Sequence, residues 1–500
     1  MVPSTGPIKR RNRGPMTDLH LAVDRGAGGL AGQVARELRD AIRSGRLALG
    51  TRLPPSRDLA KDLGLSRGAV VEAYEQLVAE GFLAARTGAG TYVAAGPRTG
   101  GPSAGGGGGV AAAAATSPVT FPATSPMTSA MTSPVTAPVT WGLSERDRDR
   151  PTSPDLGAFP RQAWMAAVRH VLTTLPNDAL DYGDPGGVPD LREELAPYLR
   201  RVRAADAAPE HLVVVTGVAQ GLSLTIQALA ASRGRGIVLA VEDPTSPHQL
   251  PLLQRAGAGL VRVPVDEEGI VVERLAETKA DAVLLTPAHQ YPTGVVLSPR
   301  RRAEVMAWAA GTGAIVLEDD YDAEFRFDRD PVGCLQGLAP DRVVLVGSVS
   351  KSLAPGMRLG WVVAPPHIAT SVRLARAELD LGSPVIDQYA LAHLIRTGRY
   401  DRHLRRMRRE YRARRDALVS ALAEHLPAIA VQGVSAGLHL YARLPEGWDE
   451  VALAAAARAA GLAAEAVVPA HRRPGLVIGF ARVPPHRITR AVRDLADGVT

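Results

Sequence analysis

The chain has 500 residues, a formal net charge of +7, 46% hydrophobic residues and 22% charged residues. This is globular composition, and at ~150 residues per domain it suggests about three compact units. No apolar run of about eighteen residues suits a membrane span, and the basic N-terminus lacks an apolar signal core. The lone Cys334 excludes an intrachain disulfide and any multi-cysteine metal site. The expectation is a cytoplasmic protein with no membrane partner and no bound metal.

In chain order, residues 1–27 read as a disordered basic tail, and 28–94 as a compact module. An amphipathic helix is predicted over Ala31–Ser44. Ser56 is placed to cap a second helix, Arg57–Leu63, which Gly64 ends. Ser66 caps a third, whose Val70, Tyr74, Leu77 and Val78 share one face, and Gly81 stops it. Two short strands then flank a hairpin tip at Thr87–Gly90. This order is a winged helix-turn-helix.

Such a module presents the N-terminus of its last helix to base edges in the major groove. Here that places Ser66, Arg67 and Gly68 toward double-stranded DNA. Arg67 could grip guanine in a bidentate manner, worth ~1–3 kcal/mol of discrimination. Arg52 and Arg57 lie just upstream for phosphate or base contact, and the wing glycines Gly88 and Gly90 let backbone N–H groups approach a phosphate. Nine Lys and Arg against seven Asp and Glu in 28–94 leave the module only slightly basic. Charge alone therefore leaves open a protein-binding role.

From Arg98 to Glu145 no charged residue intervenes, and GGGGG, AAAAA and three near-repeats of TSPVT follow one another. Such a segment cannot bury enough apolar surface to offset the entropy of ordering, so 95–150 reads as a flexible linker.

Residues 151–500 alternate short apolar runs with helix-length stretches. His211–Val215, Gly236–Val241, Ala282–Leu285, Ala314–Leu317 and Arg342–Val346 are the expected strands of an α/β fold with a mainly parallel sheet. A smaller C-terminal subdomain is expected over about 365–500, where the arginine-rich run 403–416 reads as a solvated helix face. Ligands in such folds sit beyond the carboxyl ends of the strands. Gly217, Val218 and Ala219 open a helix there, and its first amides suit an anion. Ser348, Ser350 and Arg358 could clamp the same phosphate. The chain has four lysines, Lys9, Lys61, Lys279 and Lys351, and only Lys351 follows a strand. An acid among Glu318, Asp319 and Asp320 could pair with a protonated pyridine nitrogen, and Tyr321 could bond a phenolic ring oxygen. A Schiff-base lysine with an acidic partner for the ring is the pattern of a pyridoxal 5'-phosphate site.

Two stretches carry resemblances. GxRLPPSRDLAxxLGxSRxxVxxAYEQLxAEGFLxxRxGxGTYV, over 42–93, resembles the GntR family of bacterial regulators, which implies DNA binding as a dimer. YGDPGGxPxLRxxLAxYL, PTG, EDDYDxEF and SxSKxLxPGxRLG, within about 150–483, resemble the fold-type I class I aminotransferases. The fusion of the two is the architecture of MocR/GabR-type regulators, a subfamily that EDDYDxEF with HQYPTG also resembles. By position the resemblance implies that Lys351 carries pyridoxal 5'-phosphate, and that Asp319 (Asp320 as second choice) pairs with the ring nitrogen. It likewise implies that Tyr321 holds the ring oxygen and that Ser348 and Arg358 bind phosphate, with Tyr182 reaching across a dimer interface. Arg472, in competition with Arg473, would meet an effector's carboxylate. Where the family has an aromatic residue on the ring the chain has Ser246, and Ala219 shortens the phosphate loop's side chain. The expected function is a transcriptional regulator sensing an amino compound as a domain-swapped homodimer. An active aminotransferase and a cofactor-free dimerisation scaffold are the alternatives.

Overall fold

The computed structural model describes residues 21–94, apart from 22, 25, 27 and 87–89, and residues 150–499, apart from 323, 328–332, 434 and 468–474. The expectations for the basic tail before residue 21, for the linker over 95–149, for Gly88 and for Arg472 and Arg473 lie outside the described residues.

Helices α1 (Leu30–Arg43), α2 (Ser56–Leu63) and α3 (Arg67–Glu80) precede an antiparallel hairpin of β1 (Leu83–Arg86) and β2 (Gly90–Val93). Val34, Leu38 and Ile42 recur at helical spacing along α1 and pack against Val70, Leu77, Phe82 and Val93. Ser66 Oγ accepts the Ala69 amide at 3.2 Å, the expected cap. The expected cap at Ser56 is corrected. Pro55 occupies the cap position, its carbonyl takes the Asp58 and Leu59 amides at 2.9 and 3.0 Å, and Ser56 is already helical.

The large sheet runs β3 (Leu212–Val215), β4 (Ile237–Asp243), β5 (Ala258–Asp266), β6 (Gly269–Ile270), β7 (Ala282–Leu285), β8 (Ile315–Asp320), β9 (Val343–Ser348) and β10 (Gly360–Val363) in chain order. In space the order is β3-β10-β9-β8-β7-β4-β5-β6. The pairs linking β9, β8, β7, β4 and β5 are parallel, while β10 is antiparallel to both neighbours and β6 to β5. Leu212 and Val214 enter one apolar cluster and Val213 and Val215 another, so both faces of the sheet are covered. The covering helices include α4 (Pro189–Arg203), α5 (Val218–Arg233) and α6 (Pro299–Thr312).

A second sheet of β11 (Ala430–Gln432), β12 (His439–Arg443), β13 (Ala463–Val467) and β14 (Gly475–Gly479) is wholly antiparallel, in the order β11-β12-β14-β13. The helix Arg399–His425 buries Tyr400, Leu404, Met407, Tyr411 and Leu418. Among the described residues, no helix is long and apolar enough to cross a membrane.

Candidate functional site

A cavity of about 290 Å³ opens beyond the strand ends, lined in part by Lys351, Asp319, Tyr321, Ala219, Ser246 and Tyr291. Side chains alternate along β8, so Asp319 faces the cavity while Glu318 and Asp320 face away from it. Asp319 Oδ2 accepts from Gln249 Nε2 at 2.9 Å, whereas Oδ1 is buried with no hydrogen-bond partner. Burial pushes this carboxyl up to about 6, against the pull of the Gln249 amide.

Lys351 stands three residues beyond β9, its Nζ donating to Thr152 Oγ1 at 3.2 Å. Burial lowers its pKa although Asp322 and Asp319 lie near. A lysine amine that loses its proton more easily is a better nucleophile.

Tyr321 donates its hydroxyl to the His289 carbonyl at 3.0 Å and lies 3.2 Å from His289 Nδ1. Burial, with Asp322 beside it, holds the phenol well above its ordinary value. The same His289 Nδ1 meets Asp322 Oδ2 at 2.9 Å, both side chains being buried. Gly437 makes room for this pair, since a Cβ there would overlap the His289 ring and Asp322 Oδ2. Ligand atoms of His289, Asp322 and His439 lie within 4.8 Å of one another, the one such group among the described residues. Asp322 and Tyr321 already engage His289 Nδ1, so hydrogen bonding is sufficient to explain the pair. Burial and His289 both lower the His439 pKa, which keeps that ring neutral.

Of the expected phosphate residues, Ala219 lines the cavity. Gly217 caps α5 at φ 120°, and a Cβ there would lie 3.1 Å from Arg358 Nη2. Val218 and Ala219 follow in the first turn, whose amides lack intrahelical partners. Gly360 pairs with both Val215 and Ser348, which carries Ser348 to the same row as the start of α5. Ser348 Oγ accepts the Ser350 amide at 3.3 Å. Tyr182 is 83% exposed.

Reading the sequence missed Gln249, His289, Asp322 and Thr152. His289 lies in HQYPTG and Asp322 in EDDYDAEF, two motifs already singled out. Gln249 and Thr152 have no motif, and only the fold brings them to Asp319 and Lys351.

At the DNA-binding end, Ser66, Arg67 and Gly68 are exposed at the start of α3. Arg52 and Arg57 are exposed as well, and Arg52 bridges to Tyr92 and lies against the wing, where a Cβ at Gly90 would sit 3.0 Å from its Nε.

Fold and site together define a DNA-binding head fused to an aminotransferase-type domain. Residues 30–93 match the gntR family of bacterial regulatory proteins, and residues 154–495 match aminotransferase class I and II. The chain is 30% identical to the probable rhizopine catabolism regulatory protein MocR of Rhizobium meliloti, over 93% of this chain and 92% of that one. It is 34% identical to the HTH-type transcriptional regulator TauR of Rhodobacter capsulatus, over 88% and 89%. The large domain is similar to the kynurenine aminotransferase of Pyrococcus horikoshii, with TM-score 0.63 and 26% identity over 70% of this chain and 90% of that one. The chain belongs to the MocR-type family of DNA-binding transcriptional regulators, in which a gntR winged helix is fused to a class I and II aminotransferase domain.

The residues present fit the cofactor that this fold typically takes. A buried carboxylate oxygen lacks a partner, a depressed lysine amine lies in the same cavity, and Gly217 leaves open a cradle that a Cβ would fill beside Arg358.

Asp319 also makes a stability prediction for the cofactor-free protein. Its folded pKa is raised, so the native state holds more protons than the unfolded one, and stability falls as pH rises from about 4 to about 6. Asp319→Asn removes that loss and gains on the order of 2–3 kcal/mol over wild type at pH 7, with little difference at pH 4. Urea unfolding of both proteins at the two pH values measures it, and equal midpoints at pH 7 would count against the burial account.

Proposed function

We propose that the large domain carries pyridoxal 5'-phosphate on Lys351, and that an amino compound entering the cavity alters operator binding by the winged helices. The observation that carries this reading is the buried, unpartnered Asp319 Oδ1 in the same cavity as a buried lysine. When bound, the cofactor supplies an aldehyde that condenses with primary amines and a ring that withdraws electrons.

The chain's own residues then have distinct tasks. Lys351 offers the amine, with Thr152 holding it in place. Asp319 Oδ1, which has no partner, would hold a proton on the ring nitrogen, while Gln249 fixes the other oxygen. Tyr321, whose hydroxyl donates to the His289 carbonyl, would hold the ring oxygen. The amides of Gly217, Val218 and Ala219, the hydroxyls of Ser348 and Ser350, and the Arg358 guanidinium hold the phosphate. Tyr182, exposed in one chain, would complete the phosphate site of a partner in a domain-swapped homodimer. Arg472 would meet the effector's carboxylate. Arg52, Arg57, Ser66, Arg67, Gly88 and Gly90 would contact the operator.

A second reading, an active aminotransferase, draws support from the lowered pKa of Lys351, which suits proton transfer. Ser246 in the cavity, where the enzymes pack an aromatic residue on the ring, weighs against fast turnover.

The test takes duplexes selected from a random-sequence library and measures their affinity for the full chain with and without pyridoxal 5'-phosphate and a panel of primary amines. The expected result is a change of roughly fivefold or more with one amine class. Amines that perturb the visible spectrum but never DNA affinity would defeat the sensing role, and sustained keto-acid formation would favour the enzyme.

A further inference from the structure

The cavity that holds Lys351 also holds an acid with no part in the proposed cofactor site. It is Glu465, on β13 of the smaller antiparallel sheet. Side chains alternate along a strand. Ala464 and Ala466 both pack into the apolar cluster that contains Leu440 and Ile478, so Glu465 is turned the other way, into the cavity lining.

Two loops of the large sheet meet this acid. Tyr291, after β7, donates its hydroxyl to Glu465 Oε2 at 3.3 Å, and His248, after β4, brings Nε2 to 3.5 Å from Oε1. Burial first, and then the Glu465 charge, hold the Tyr291 phenol above its ordinary value, which keeps the tyrosine a donor. Both contacts are long, since a carboxylate takes a firm partner at about 2.5–2.9 Å. Asp320, by comparison, meets Arg203 at 2.6 and 2.8 Å. The Glu465 carboxylate is therefore loosely held, and 29% of its side chain stays exposed.

The remaining lining sorts by sign. Asp319, Lys351, Tyr321 and Ala219 belong to the proposed cofactor site. Apart from Asp319, Glu465 is the one acid in the lining among the described residues, with Arg150 as a group of opposite sign. An apolar tail laid against Glu465 would strip water from a carboxylate and return nothing, whereas an ammonium or guanidinium would restore what was lost.

We infer that the amino compound carries a second cationic group, and that Glu465 receives that group while the first amine meets the cofactor on Lys351. This rests on the proposed amine-sensing role of the cavity and names the chemical class of its ligand. Specificity is a difference of two affinities, so the acid acts as much by rejecting monoamines as by holding diamines.

The experiment saturates the full chain with pyridoxal 5'-phosphate and follows its visible spectrum as amines are added. Two pairs of matched size differ in the charge of the tail: 1,4-diaminobutane against pentylamine, and ornithine against norleucine. The member with the second amine is expected to half-saturate the spectral change at a concentration lower by about tenfold or more. Glu465→Gln keeps the shape and an acceptor for Tyr291, and should bring each ratio to within about twofold. Glu465→Arg, which adds no competing lysine, should turn the preference to glutamate over ornithine. Equal half-saturation within both pairs on the wild type overturns the inference and leaves the cofactor on Lys351 standing, and that comparison needs no variant to fold. A preference that survives unchanged in Glu465→Gln overturns it too, by placing the cationic tail elsewhere. A wild-type spectrum that answers to no amine overturns the amine-sensing reading itself, and the inference with it.

Discussion

Lys351→Ala abolishes the visible absorption band that wild-type protein develops with pyridoxal 5'-phosphate, and borohydride then fixes no cofactor to the chain. The loss is expected to be complete, because among the described residues no second lysine lines the cavity: Lys61 lies on α2 of the winged helix and Lys279 is exposed. The substitution also spares the fold. Among the described residues the Lys351 side chain hydrogen-bonds to Thr152 alone, and burial disfavours its charge, so truncation removes a penalty rather than a support. Affinity for DNA without effector should stay near the wild-type value, while any dependence on added amines disappears. A variant that kept the band would place the cofactor on another nucleophile and undo the assignment of the cavity. A variant that lost the band but still answered to amines in DNA binding would separate the sensing site from Lys351.

Much of this site was legible because its chemistry is written in short motifs at strand ends. β3, β4, β7, β8 and β9 are buried apolar runs of few residues, and the last residues of β8 and the loops after the strands hold the acid, the glycines and the single lysine that the cavity uses. β5 and β10 were harder to see. Ala258–Asp266 mixes buried and exposed positions with a proline and an arginine. Gly360–Val363 is too brief to stand out after a glycine- and proline-rich loop, and only pairing with both β3 and β9 makes it a strand. Ser56 has the right residue type for a cap, yet the preceding proline's carbonyl had already taken the first helical bonds. The least legible features are contacts distant in sequence. Gln249 meets Asp319 and His289 meets Asp322, each by virtue of the fold alone. In sequence Glu318 and Asp320 compete with Asp319 for one role, whereas the pleat of β8 turns them to other partners.

Arg203→Met is expected to destabilise the large domain by about 3–5 kcal/mol, and by more at pH 8 than at pH 6. Arg203 is buried, and its guanidinium meets the Asp320 carboxylate at 2.6 and 2.8 Å. Burial opposes its charge, and Asp320 overcomes that opposition. Two further buried acids depend on the same guanidinium. Burial first, and then Asp320, raise Glu318 and Glu324 each to about 7, while Arg203 pulls both back. Without Arg203 those values rise further. Folded-state values above the unfolded ones mean that the native state holds the extra protons, so stability falls as pH climbs through them. Near pH 6 the acids keep their protons and the variant loses chiefly the Asp320 pair; by pH 8 it must also ionise them or hold protons against the solution. Adding Asp320→Leu to Arg203→Met should recover a large part of the loss, since an apolar pair of similar volume often replaces a buried ion pair at little cost. Chemical denaturation of the three proteins at both pH values measures the effect. A penalty equal at pH 6 and pH 8 would show that Glu318 and Glu324 do not lean on Arg203.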